Sequence, residues 1–368
     1  MVELGYVGNN GVKLLADLNW NQPRIYGSFL TDFKQIQDSR RAGGPAVPAS
    51  NLFVRMFGSA AAAVTAIGAN NVDGGAVGTA ANTVDTNNYT RYATAGRSQF
   101  FLRNYPQFQN VVVATNAGRS YYHSLQISVR RQAGSLRFAG NYTWSKSTDN
   151  ISSDGGGFDQ PIDNFNFRLN RGRSDADRPH NVNWSTSYTL PIGKGHLIGR
   201  GMPDWADRIL GGWEIGSLGV WTSGPVMTLS SGLATGPQSG VNTWGNFSGD
   251  RNIGEVRRAG NGVFYFSDAV IAQLKDTALV PGAGQLGTAG RNSFRGPRYF
   301  TTDISLLKRF RIRGERTFVT FRAEAYNLFN NANFSTPGFN LQSPQAIGAI
   351  TGIVGDPRRM QMALRFDF

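Results

Sequence analysis

His123, His180 and His196 are the only imidazoles in a chain of 368 residues, and they stand in three separate segments. A metal centre or a hydrolytic triad needs such groups to converge with carboxylates, which this spacing does not favour. His180, just after Pro179 at the start of an alternating stretch, reads as a rim residue. The chain has no cysteine, so disulfides, thiolate ligands and a Cys nucleophile are excluded. The segment GAGQLG at 282–287 has the G-x-G-x-x-G form of a dinucleotide loop. No strand leads into it and no helix follows, so a flexible loop is the simpler reading. In DGGGFD at 154–159, Asp154 and Asp159 could face Ca²⁺, but the spacing matches no calcium loop and a solvated turn is expected. The 24 acidic residues are scattered mainly in loops, which leaves a secreted hydrolase without its acid pair. These residues imply no catalytic site, no cofactor and no metal: a protein that is not an enzyme.

The formal net charge of +13 invites a nucleic-acid reading. The basic residues are dispersed singly along alternating segments, without a stripe or a recognition motif, so no nucleic-acid partner is expected. Trp20, Tyr26, Phe165 and Phe167 are aromatic side chains in long connections that could stack on a sugar or a flat chelate, or equally pack the loops.

The elements that carry these residues follow a period of two. The final segment, RRMQMALRFDF, sets Met360, Met362, Leu364, Phe366 and Phe368 on one face and Gln361, Ala363, Arg365 and Asp367 on the other. In RTFVTFRAEAY, Val319, Phe321, Ala323 and Ala325 alternate with Thr320, Arg322, Glu324 and Tyr326; its partner TTDISLLKRFRI carries Ile304, Leu306, Phe310 and Ile312, interrupted by Lys308. Only RGE separates the two, a hairpin around Gly314. Residues 123–131 and 136–145 form a second such pair, with Leu125, Ile127, Val129, Leu136 and Phe138 on one face. Residues 180–191 and 211–224 alternate likewise, the latter with a phase change that predicts a bulge near Gly216, and VELGYVG reads as an eighth strand, cut short.

No stretch of about 18 apolar residues exists, so a transmembrane helix is excluded; SAAAAVTAIGA at 59–69 is too short. A mean hydropathy of −0.31 does not exclude spanning strands, whose lipid face occupies alternate positions. Connections alternate between short (132–135, 313–315) and long (9–120, 146–179, 225–298, 331–357), as in outer-membrane barrels with tight periplasmic turns and long extracellular loops. The medium connection 192–210 predicts a short helix between Pro203 and Gly211 at the periplasmic rim. Tyr142, Trp144, Tyr188 and Trp213 fall near strand ends, where an aromatic girdle meets headgroups. Arg322, Glu324 and Arg365 fall on the opposite, lumen-facing side. The fold class is all-β: an antiparallel transmembrane barrel portion of about eight strands with long extracellular loops.

The segments GRSDADRPHNVNWSTSYTLPIGKG, GGWEIGSLGVWTSGPVMTL, GRNSFRGPRYFTTDISLLKRF, FRAEAYNLFNNANFSTPG and GDPRRMQMALRFDF, with VELGYVGNNG at the start, resemble the C-terminal barrel of TonB-dependent outer-membrane receptors of the Oar-like branch. The resemblance covers residues 1–368 in order. It implies a barrel of about 22 strands with a plug, energised by TonB, of which this chain holds the C-terminal part. Plug, TonB box and signal peptide are not among these residues. It also implies a cell outer membrane location, lipid as a partner, ligand capture by extracellular loops, a TonB complex engaged through the N-terminal part of the full receptor, and an aromatic terminal strand, Phe366 and Phe368, read by the barrel assembly machinery. The alternative is a stand-alone eight-stranded barrel or adhesin.

Overall fold

A computed structural model describes residues 1–152, 161–313 and 317–368. The DGGGFD segment, and Gly314 and Glu315 of the RGE turn, lie outside the described residues.

Eight long strands form the wall: β1 (Val2–Asn19), β2 (Val112–Ala133), β3 (Leu136–Asp149), β4 (His180–Thr189), β5 (Trp213–Thr222), β6 (Tyr299–Arg313), β7 (Thr317–Tyr326) and β8 (Arg359–Asp367). Each pairs antiparallel with its sequence neighbours, an up-and-down meander, and a two-residue strand, Gly172–Arg173, extends the end of β3. The sheet is open: β1 and β8 are its two edges and do not pair with each other.

Register fixes the two faces, because one slipped residue would invert every side chain. Phe321 lies opposite Leu364 and Val319 opposite Phe366, while Arg322 faces Ala363 and Glu324 faces Gln361. The hairpin 121–145 forms with Ile127 opposite Tyr142 and Leu125 opposite Trp144.

Three expectations change. The first strand extends well beyond VELGYVG and runs to Asn19, with register shifts around Lys13, whose φ of 57° marks the bulge. No bulge occurs near Gly216, since β5 keeps an unbroken register with both β4 and β6. Instead, Gly219 and Ser217 make room for the Trp184 ring: a Cβ on Gly219 would lie 2.0 Å from it, and Trp184 Nε1 donates to Ser217 Oγ at 3.3 Å. Leu218 and Val220 therefore occupy the other face with the strand still regular.

The third change is the first long connection, which is helical. It holds α1 (Phe29–Arg41), α2 (Leu52–Phe57), α3 (Ala60–Ile67), α4 (Ala69–Asp73) and α5 (Val77–Asn87), so the chain is not purely β. Phe29, Phe33 and Ile36 recur at helical spacing and bury one stripe of α1. Asn51 accepts from the Phe53 amide at 2.9 Å to cap α2, Ser59 accepts from Ala62 at 3.1 Å to cap α3, and Gly58 ends α2 at φ 84°. As expected, α6 (Asp204–Leu210) lies between Pro203 and Gly211. A last helix, α7 (Asp268–Leu274), sits in the connection 225–298 with a two-stranded ribbon and a hairpin to which Ala349–Ile350, from the last connection, adds a third strand. Among the described residues no helix is long and apolar enough to cross a membrane.

Every long connection leaves the same end of the wall, and these segments knit into a head. Ile25 N–H donates to Pro237 O at 2.9 Å, Gly78 N–H to Ala234 O at 2.7 Å and Leu341 N–H to Ser230 O at 3.0 Å. The head has two apolar cores, one around Phe33, Phe53 and Tyr92, the other around Phe266, Phe294 and Phe339.

Candidate functional site

Two surfaces carry polar chemistry: the polar face of the wall and the head. On the wall, Arg322 and Glu324 share the polar face and pair at 2.5 Å; Tyr326 donates to Glu324 at 3.1 Å, and Gln361 on β8 donates to the same carboxylate. Arg365 pairs with Asp367 at 2.8 Å on that face. A cavity of about 360 Å³ opens here, lined by Ser187, Glu214, Asp303, Ser305, Arg322 and Glu324. Glu214 and Asp303 were not singled out from sequence, although their phase, opposite to Ile215 and Ile304, signals the position. Phe366 and Phe368 are 57% and 95% exposed on the apolar side, their rings 5.9 Å apart.

The histidines do not converge. His123 is hydrogen-bonded to Tyr6 OH at 2.6 Å and His180 to Tyr142 OH at 2.8 Å, two similar cross-strand pairs on the apolar phase of the sheet toward the head. His180 thus sits at the rim. Among the described residues no three His, Asp or Glu side chains gather as a metal site.

In the head, Asp85 and Arg103 form a buried ion pair, and Tyr92 OH lies 3.5 Å from the Asp85 carboxylate. Burial pushes the Asp85 carboxyl above its ordinary range, while the Arg103 guanidinium pulls the other way. Burial also drives the Tyr92 phenol well above its ordinary value, and the neighbouring Asp85 charge adds to this. At the junction with the wall, Arg291 bridges Asp149, Ser152 Oγ at 3.0 Å and Asn170 O at 3.0 Å, and Arg295 pairs with Asp177. Burial and the Arg295 charge lower the Arg178 guanidinium. Beside Arg291 a cavity of about 270 Å³ is lined by Ile162, Asn170, Asp175 and Trp244 among others. The Arg291 guanidinium is already engaged by protein acceptors through Nε, Nη1 and Nη2.

The four aromatic candidates are not brought together. Tyr26 packs edge-on against Phe101 at 6.2 Å, and burial raises its phenol. Phe165 lies under Arg24 at 4.2 Å, Phe167 is half-buried, and Trp20 is 42% exposed with its amide donating to Val111 O at 2.9 Å. Among the described residues no ring contact links two of the four. GAGQLG is a loop, and its glycines pack closely: Gly284 N–H donates to Thr235 O at 2.7 Å, and Gly287, at φ 80°, lies where a Cβ would meet Trp244 O at 2.1 Å. Glycine alone fits that approach.

Residues 1–361 match the family model described as outer membrane beta barrel domain. The chain belongs to this family. As an outer-membrane barrel domain it resides in the outer membrane, so the apolar wall face is the lipid face. Among solved structures it is similar to the outer membrane transporter YddB from Escherichia coli, with a TM-score of 0.34 and 10% identity over 70% of this chain. The chain spans 27% of that transporter's length. No curated protein matches at a comparable level.

Proposed function

We propose that this barrel domain is the C-terminal wall of a TonB-dependent outer-membrane receptor of the Oar-like branch, whose head captures a ligand for energised uptake by the complete protein. The observation that carries the reading is the open meander: eight antiparallel strands with unpaired edges at β1 and β8. Lipid tolerates no free sheet edge, so further strands must complete the barrel. The polar face with Glu214, Arg322 and Glu324 then lines the lumen, and the head is extracellular. Trp20, Tyr26, Phe165 and Phe167 are the proposed ligand-contacting aromatics. Phe366 and Phe368 form the terminal strand offered to the barrel assembly machinery, which recognises it by strand addition. The TonB complex acts through the receptor's N-terminal part, and the protein performs no covalent chemistry.

Immunoblotting of native outer membranes with an antibody to the head tests this. A folded band far above the 40.0 kDa of this chain is expected. A band at that mass overturns the reading in favour of a stand-alone eight-stranded barrel or adhesin. An epitope near residue 240 should be reached by antibody on intact cells; exposure only after permeabilisation would place the head in the periplasm.

A further inference from the structure

Lys308 interrupts an otherwise apolar series. Its register partner across the sheet is Trp213, and it stands in phase with Leu306 and Phe310 on the lipid face. Yet it is only 2% exposed, because its ammonium donates to Ile209 O at 3.0 Å and to Gly211 O, the carbonyls that end α6. Trp213 Nε1 donates to Ile209 O at 3.0 Å from the same face. A cation at a helix C-terminus satisfies carbonyls the helix leaves open and complements its dipole. These three bonds hold α6 over the outer side of the wall, at the end opposite the head.

The segment so held is apolar outward. Trp205 and Ile209, one helical turn apart, are 69% and 56% exposed, and Leu197 on the preceding loop is 81% exposed. Arg200 and Arg208 are exposed beside them. The surface continues, through Trp213 and its edge-on neighbours Phe310 and Phe321 at 6.4 and 6.0 Å, into the lipid face itself.

We propose that α6 is an interfacial anchor: Trp205 and Ile209 enter the acyl boundary of the phospholipid leaflet at the turn end of the wall, and Arg200 and Arg208 meet headgroup phosphates. Continuity with the lipid face selects lipid as the occupant. An apolar helix face flanked by arginines is the composition that lies in a membrane interface. The helix also relieves Lys308, which would otherwise present an unpaired ammonium to lipid. The proposal needs only the outer-membrane location and is independent of the uptake reading.

The chain has no native cysteine, so spin labels can be placed singly. Trp205→Cys and Ile209→Cys are labelled in turn in the full-length protein in native outer membranes, and only heat-modifiable, folded material is scored. Leu364→Cys serves as the lipid reference and Asn261→Cys as the aqueous one. Collisions with oxygen should exceed those with a water-soluble nickel chelate at 205 and 209, as at 364 and opposite to 261. Nickel exceeding oxygen at both positions overturns the proposal, as does exclusion of both agents, which would mean a protein partner covers the helix. Adding Lys308→Met to the 209 label should increase its mobility several-fold with the folded yield retained; unchanged mobility would contradict the pinning.

Discussion

The wall and the head obey opposite rules. In the head, Phe33 and Phe53 are 0% exposed; in the wall, Met362 and Leu364 are 73% and 74% exposed, and their polar neighbours line the other face. Among the described residues, the largest fully buried side chains all lie outside the regular part of the wall, in the connections and at the end of β1. A water-soluble sheet would bury one face under a second layer. Here the solvent supplies that layer for the wall, since lipid covers the apolar side, while the head must build its own core against water. The wall rests on backbone ladders and cross-strand pairs, the head on helical packing and a few buried charges.

Three perturbations separate the two regimes. The largest effect is expected from Asp85→Ala, which strands the Arg103 guanidinium in the head and should cost about 3–5 kcal/mol. Trypsin cleavage within residues 20–111 should accelerate sharply while the wall stays heat-modifiable; simultaneous loss of both would mean that head and wall fold as one unit. Next comes Gly219→Val in the wall. Its branched side chain collides with the Trp184 ring and should cost about 1–3 kcal/mol, lowering the folded barrel's melting point without raising cleavage of the head. An unchanged melting point would remove the packing explanation for the broken alternation of β5.

The smallest effect is on pH dependence. The folded head holds the Tyr92 proton more tightly than the unfolded chain, whose phenol titrates at the ordinary 10.0. The stabilisation is therefore complete below about pH 10 and drains as pH rises beyond it, by at most about 1.4 kcal/mol per pH unit. The head should melt earlier at pH 11 than at pH 9, and Tyr92→Phe should shrink the difference. Equal shifts in both proteins would assign the alkaline sensitivity elsewhere.

The wall was legible because lipid imposes period two on every strand, and alternation at 319–326 and 360–368 survives in the register. Two of its irregularities have packing causes that spacing alone cannot carry: Gly219 yields to Trp184, and Lys308 serves a helix 97 residues away in sequence. The helical part of the head was missed for another reason. Its helices are short, and Ala60–Ile67 reads only as a failed membrane span when sought by length. The caps at Asn51 and Ser59 and the spacing of Phe29, Phe33 and Ile36 were the available signals. The loop aromatics could not be grouped into a site because their contacts depend on how separate connections interlock. The packing of the GAGQLG loop is hidden for the same reason: its glycines answer to Thr235 and Trp244, distant in sequence.

The central claim is that β7 and β8 separate lipid from a wet interior. Cysteines placed one at a time at 319–324 and 360–365 in the outer-membrane protein, and treated with a charged, membrane-impermeant thiol reagent, test it directly. Labelling should alternate, strong at 320, 322 and 324 and at 361, 363 and 365, weak at 319, 321 and 323 and at 360, 362 and 364. Labelling at 321 but not 322, or uniform labelling along either strand, would contradict the account.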